Sequence, residues 1–231
     1  MKKLLLLHGA LGSKEQFGDL SEKLADSFEV HTMNFTGHGG GEIPSELFSM
    51  EMFAADIELY LDENNINEID VFGYSMGGYA ALQFAVDNPE KAGKIFTLAT
   101  KFEWTPEIAE REVKMLDAEK IKEKVPKFAE ELAMRHGVDK WKQVLMKTAE
   151  MMKALGESGG RHAGHPLHLD QINNEVLVGI GDSDKMVTLE ETIKTFRILP
   201  NGKLLILPGT PHPLEVVDTE KLAEEIRRFF I

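Results

Sequence analysis

Short, nearly unbroken apolar runs recur along this chain at residues 3–7, 29–35, 69–72, 94–99, 175–180 and 203–207. A strand covered on both faces needs apolar side chains at every position, so such runs predict strands of a buried, parallel sheet. Between them the period lengthens. Residues 14–26, 49–64, 76–87, 189–199 and 219–230 carry helical patterns; Phe53, Ile57, Tyr60 and Leu61 mark the apolar face of the second. Strands alternating with helices imply crossover connections that cover both faces of the sheet. The expected fold class is therefore α/β, a doubly wound parallel sheet of about six strands.

Residues 101–168 break the alternation. They hold no convincing strand and read as three helices: 106–117, 118–136 with a break at Pro126, and 138–155. Val138, Trp141, Leu145, Thr148, Met152 and Leu155 fall on one face of the last. The stretch runs into the tract Gly156-Glu157-Ser158-Gly159-Gly160, a loop suited to a hinge. Charge separates it too. Of 26 Lys/Arg and 39 Asp/Glu in the whole chain, this stretch holds 13 and 12, a net of +1, and the remainder 13 and 27, a net of −14. An acidic core, residues 1–100 and 169–231, is expected to carry a near-neutral helical cap at 101–168.

The 231 residues are 42% apolar and 28% charged, the composition of a globular chain long enough for a sizeable core. A net charge of −13 repels phosphate backbones and anionic lipid, so neither nucleic acid nor a membrane surface is an expected partner. The absence of cysteine excludes disulfides, thiolate nucleophiles, iron–sulfur clusters and cysteine-based zinc sites, and fits a cytoplasmic location. No run approaches the roughly 20 apolar residues of a membrane helix. Leu4 to Leu7, after Lys2 and Lys3, imitate a signal peptide, but four leucines fall short of the roughly seven such a segment needs. They read as the first strand, with almost nothing before it.

Gly73-Tyr74-Ser75-Met76-Gly77 is a G-x-S-x-G that follows a strand, Ile69 to Phe72, and opens a small-residue helix. That context marks a nucleophile elbow, in which a sharp strand-to-helix turn lifts the serine above the sheet at a helix N-terminus. A serine hydroxyl needs a base. Of eight histidines only His212 follows the last apolar run; His8 and His38 lie on neighbouring loops and are weaker candidates. The base needs an acid to orient it, and Asp182 or Asp184, after the run 175–180, could serve. Two backbone donors are needed for an oxyanion: Met76 N–H, just after the nucleophile, and Ala10 N–H from the loop after the first strand. That loop lacks the lysine and spacing of a phosphate-binding P-loop.

Together these residues resemble the α/β-hydrolase fold family over the whole chain, as a small capped serine esterase-like member. The loop 8–13 is similar to its H-G-x oxyanion loop. Gly37-His38-Gly39 resembles its G-H-G turn, with Asn34 where aspartate is common. Residues 73–78 resemble the small-esterase elbow, and Pro208-Gly209-x-x-His212 the histidine loop. Gly181-x-x-Asp184-x-x-Val187 resembles the acid motif, which implies Asp184 rather than Asp182. The insertion stands where the family places its cap. Two departures follow. The family's usual N-terminal hairpin has no counterpart, so six parallel strands are expected, with 29–35 at an edge. The oxyanion loop also resembles that of the menaquinone-pathway synthase of this fold, which carries arginine where this chain has Tyr79. Serine rather than aspartate at the elbow argues against haloalkane dehalogenase and epoxide hydrolase chemistry.

The resemblance implies acyl transfer from a small or medium apolar ester to water, through Ser75, His212 and Asp184. No metal or organic cofactor is required, and a monomer or homodimer is expected. Phe102, Trp104, Met115, Met134, Trp141, Met151 and Met152 are chiefly packing residues, of which a few line the pocket. His162, His165 and His168 form an H-x-x-H-x-x-H run, but no acidic or cysteine partner set completes a metal site. Receptors and lyases or synthases share this fold, so a non-hydrolytic role is the alternative.

Overall fold

The computed structural model describes residues 1–159, 161–162 and 165–231, with the backbone alone described at 161, 162, 165 and 166. Six strands build the central sheet: β1 (Lys2–Leu7), β2 (Phe28–Thr32), β3 (Ile69–Tyr74), β4 (Ala92–Leu98), β7 (Val176–Gly181) and β8 (Gly202–Leu207). A two-residue antiparallel pair, β5 (Arg161–His162) and β6 (His165–Pro166), stands apart. The sheet order is β2-β1-β3-β4-β7-β8 and every pairing in it is parallel. The helices are α1 (Gly18–Leu24), α2 (Met50–Glu63), α3 (Met76–Asp87), α4 (Pro106–Val113), α5 (Ala118–Lys124), α6 (Pro126–His136), α7 (Trp141–Glu157), α8 (Leu189–Ile198) and α9 (Thr219–Phe230).

The first strand shows why its sequence is unbroken. Leu5 and Leu7 join a cluster with Phe53, Ile57 and Ala81 of α2 and α3, while Leu4 and Leu6 face Phe17, Leu20, Ile226 and Phe230 on the side of α1 and α9. All four leucines are fully buried. Strand order reverses at β1, which pairs β2 on one side and β3 on the other. Loops leaving the carboxyl ends of β1 and β3 therefore diverge around a crevice, where such sheets place their sites.

The six strands and their parallel sense follow the hydrophobic pattern, and β2 is an edge. It ends at Thr32, short of the expected 35, because Phe35 N–H donates to His8 Nε2 (3.2 Å) and its ring packs on His8 and Phe53. The helix expected at 14–26 is a 3-10 turn, Lys14–Phe17, followed by α1. In the insertion α4 stops at Val113, because the Asp117 carboxylate caps a new helix by accepting from Glu119 and Lys120 N–H. The break at Pro126 is found, with Pro126 opening α6. The last helix begins at Trp141 rather than 138: Gly137 turns the chain at φ +96°, and Val138 is exposed, off the buried face. It runs on through Glu157, so Gly156 is helical rather than loop. The pair β5–β6 corrects the expectation that this stretch holds no strand.

The insertion joins β4 to β7 and shares a hydrophobic cluster with the core: Trp104, Leu132, Trp141 and Val144 belong with Leu5, Phe35 and Phe53. Among the described residues no helix is long and apolar enough to cross a membrane.

Candidate active site

Ser75 caps α3 with φ +51°, left-handed backbone that costs a non-glycine residue roughly 1–3 kcal/mol. The surroundings hold it there. Ser75 N–H donates to Leu98 O (2.8 Å), and Thr100 Oγ1–H donates to Ser75 O (3.0 Å). The turn is so tight that a Cβ on Gly77 would stand 2.4 Å from the Leu7 carbonyl oxygen. A Cβ on Gly9 would stand 3.2 Å from Ser75 Cβ, so the loop after β1 lies directly against the serine.

His212 follows β8 and meets the serine across 137 residues of sequence. Its Nε2 lies 3.4 Å from Ser75 Oγ, at the long end of hydrogen-bond reach. Its Nδ1–H donates to Asp184 Oδ2 at 2.7 Å. Asp184 follows β7, and its side chain is 1% exposed. Its Oδ1 accepts from Met186 N–H (2.7 Å) and Val187 N–H (2.9 Å). Burial pushes this carboxyl's pKa up, but the hydrogen bonds from His212, Val187 and Met186 outweigh it and hold the group below its ordinary value. Asp182 plays a different part, accepting at Oδ1 from Gly209 N–H (2.7 Å) and so tying the acid loop to the histidine loop.

The loop after β1 makes a turn closed by Gly12 N–H to Gly9 O (3.0 Å), with Leu11 at its third position in the left-handed region, φ +59°. That is the pattern of a type II turn, whose third position favours glycine. Ala10 sits at the second position and Met76 directly follows Ser75.

His8 and His38 bond elsewhere. His8 is buried, donating from Nδ1 to Gly9 O (2.8 Å) and accepting at Nε2 from Phe35. His38 donates to Thr36 O (3.1 Å), its Nε2 buried without a partner. Burial drives the His8 pKa down to about 4 and that of His38 well below the usual histidine range, so both rings are neutral and only weakly basic.

Four residues escaped the sequence reading. Tyr74 OH donates to His212 O (2.9 Å) and steadies the histidine loop. Thr100 braces the elbow, as described. Arg135 and His136, at the end of α6, both donate to the Leu11 carbonyl, at 2.7 and 2.9 Å. Tyr74 lay inside the motif and Thr100 just beyond a strand; the α6 pair is 124 and 125 residues from Leu11 and left no local signal. Of the expected cap residues, Trp104, Trp141, Met151 and Met152 are buried, and Phe102 packs on Tyr79 with ring centroids 5.7 Å apart. Met115 and Met134 are exposed. Among the described residues no three His, Asp or Glu side chains are arranged to hold a metal ion. The His162 and His165 side chains lie outside the described residues.

The family model described as alpha/beta hydrolase fold matches residues 2–133, more than half of the chain. The protein belongs to the alpha/beta hydrolase fold family. A curated relative from Bacillus subtilis (strain 168), named "Putative 2-succinyl-6-hydroxy-2,4-cyclohexadiene-1-carboxylate synthase", is 22% identical, over 98% of this chain and 89% of its own. Two further curated relatives align over only 24% and 25% of their length, so the chain spans about a quarter of those proteins. Among solved structures, a thermophilic esterase from Thermogutta terrifontis superposes with a TM-score of 0.75 at 23% identity, covering 99% of this chain and 89% of that one. The enol-lactonase from Burkholderia xenovorans LB400 gives 0.79 at 16% identity, covering 99% and 90%. At these identities the likeness is one of fold.

Proposed function

We propose that the protein is a serine hydrolase of carboxylic esters, working through an acyl-enzyme on Ser75. The observation that carries this reading is the chain of contacts Ser75 Oγ to His212 Nε2 (3.4 Å) and His212 Nδ1–H to Asp184 Oδ2 (2.7 Å). His212 takes the Ser75 proton as Oγ attacks the ester carbonyl. Asp184 fixes the imidazole and offsets its charge. Ala10 and Met76 N–H bind the oxyanion, each such donor being worth about 3 kcal/mol. His212 then protonates the leaving alkoxide and activates the water that releases the acid. Neither metal nor organic cofactor enters the scheme.

Helices α4–α7 act as the cap over this chemistry. Phe102, Trp104 and Tyr79 belong to the apolar cluster that joins this cap to the core, an environment in keeping with a small or medium apolar acyl group. The esterase and lactonase names of the structural neighbours support ester chemistry by analogy of fold.

Incubation with a fluorophosphonate tests the reading: intact mass should show one adduct on wild type and none on Ser75→Ala. Folded wild type without an adduct would remove the support for an activated serine.

A second reading is a synthase or lyase in which Ser75 and His212 move a proton without forming an acyl-enzyme. The near full-length match to the Bacillus subtilis relative favours it. Tyr79, standing where the synthase resemblance calls for arginine, weighs against it. Under that reading ester turnover would leave no acylated Ser75.

A further inference from the structure

The turn that carries Ala10 has an unusual support. Leu11 occupies the third position of its type II-like turn at φ +59°, a conformation that a branched side chain adopts only under constraint. Its side chain is buried in the core cluster, and its carbonyl is held from the insertion. The Leu11 carbonyl accepts from Arg135 Nη1–H (2.7 Å) and from His136 Nε2–H (2.9 Å), the last two residues of α6. His136 is fully buried and has a second bond: its Nδ1 accepts from Gly39 N–H (3.2 Å). One neutral ring thus spans the loop after β1 and the Gly37–Gly39 turn, with its proton on Nε2.

We propose that His136, aided by Arg135, is a positioning residue for the oxyanion site: by holding the Leu11 carbonyl from the cap, it fixes the turn that aims Ala10 N–H. The inference rests on the serine-hydrolase reading for its catalytic consequence. A cap that docks through α6 completes the site. One that moves away releases the turn to relax toward a conformation better suited to leucine, with Ala10 N–H no longer aimed at the developing charge. Reactivity is thereby coupled to cap position through a single peptide carbonyl.

Two substitutions of similar size separate the two bonds. In His136→Gln, the amide nitrogen reaches the place of Nε2 and keeps the donor to Leu11. In His136→Asn, the amide reaches only the place of Nδ1 and keeps the contact with Gly39 alone. The readouts are kcat and KM for p-nitrophenyl acetate, and amide hydrogen exchange across residues 8–13, with far-UV circular dichroism confirming folding. Loss of one oxyanion donor lowers kcat about 10²–10³-fold, and a misaimed donor forfeits part of that. The expected result is a kcat lowered at least about tenfold in the Asn variant, with KM within about threefold of wild type, and near wild-type kcat in the Gln variant. Exchange at 8–13 should rise in the Asn variant only. Equal kcat and equal exchange in the two variants would overturn the proposal. Should wild type fail to turn over the ester, the hydrolase reading falls by itself, and the exchange of residues 8–13 alone decides the anchor: a rise confined to the Asn variant upholds it, and no difference between the variants overturns it.

Discussion

Asp182 and Asp184 are two residues apart, and both follow the same strand. One carboxylate bonds His212; the other bonds Gly209 N–H and holds the loop that carries His212. Their substitutions should differ accordingly. Asp184→Asn removes the acceptor that fixes the His212 tautomer and should lower kcat by about 10⁴, as loss of the acid does in the Ser-His-Asp template. Asp182→Asn keeps a carbonyl oxygen for Gly209 N–H and should leave kcat within about threefold. Steady-state rates on p-nitrophenyl acetate check both. An ordinary rate for Asp184→Asn would mean that His212 is oriented by something else. From the residues alone the two aspartates were equivalent. Only the family resemblance favoured Asp184, because which carboxylate turns inward depends on the Met186 and Val187 amides beyond it.

At the scale of elements, α6 meets the core through buried imidazoles. The His8 and His38 ring centroids are 5.1 Å apart, and those of His38 and His136 5.7 Å. Burial lowers all three pKa values, that of His8 to about 4. Around His8, the Gly9 carbonyl opposes the shift, His136 and Arg135 add to it, and Glu15 opposes it weakly. The sign follows by linkage. Between pH 6.5 and about 4 the unfolded chain binds a proton at His8 that the folded chain does not, so stability falls as pH falls through this window. The His8 contribution is fully present above pH 6.5 and lost by about pH 4. His38 and His136 act in the same direction. Urea midpoints should hold steady from about pH 8 to 7 and drop steeply from 6.5 to 4, and His8→Gln should flatten that slope. A midpoint unchanged down to about pH 4.5 would contradict the neutral, buried cluster. The helices themselves were legible: Pro126 set a break, and helical spacing placed Trp141, Leu145, Thr148, Met152 and Leu155 on one buried face. The ends were not. Gly137 and the Asp117 cap moved them, because a turn or a cap is decided by one residue rather than by a period.

Across the whole molecule, the alternation of apolar runs and helices was enough for the sheet and its six strands. Burial on both faces writes itself into every strand residue, as Leu4 to Leu7 show. The motifs proposed as elbow, histidine loop and acid loop stand out in the sequence for a related reason: each is a local pattern at the end of a strand. What no local pattern carries is contact between parts far apart in sequence. The α6 bonds to Leu11, the Tyr74 bond to the His212 carbonyl and the interleaving of side chains from α4–α7 with those of the core all depend on how the finished elements meet. The proposed chemistry spans that whole assembly, since residues from the ends of β3, β7 and β8 must act as one nucleophile. It is tested most sharply by rapid-quench intact mass during turnover of p-nitrophenyl acetate, with peptide mapping of any adduct. A transient acetyl group is expected on Ser75 of wild type, formed at the rate of the p-nitrophenol burst and absent from Ser75→Ala. Ester turnover without an acylated Ser75, or with the acyl group on another residue, would contradict an acyl-enzyme at the elbow.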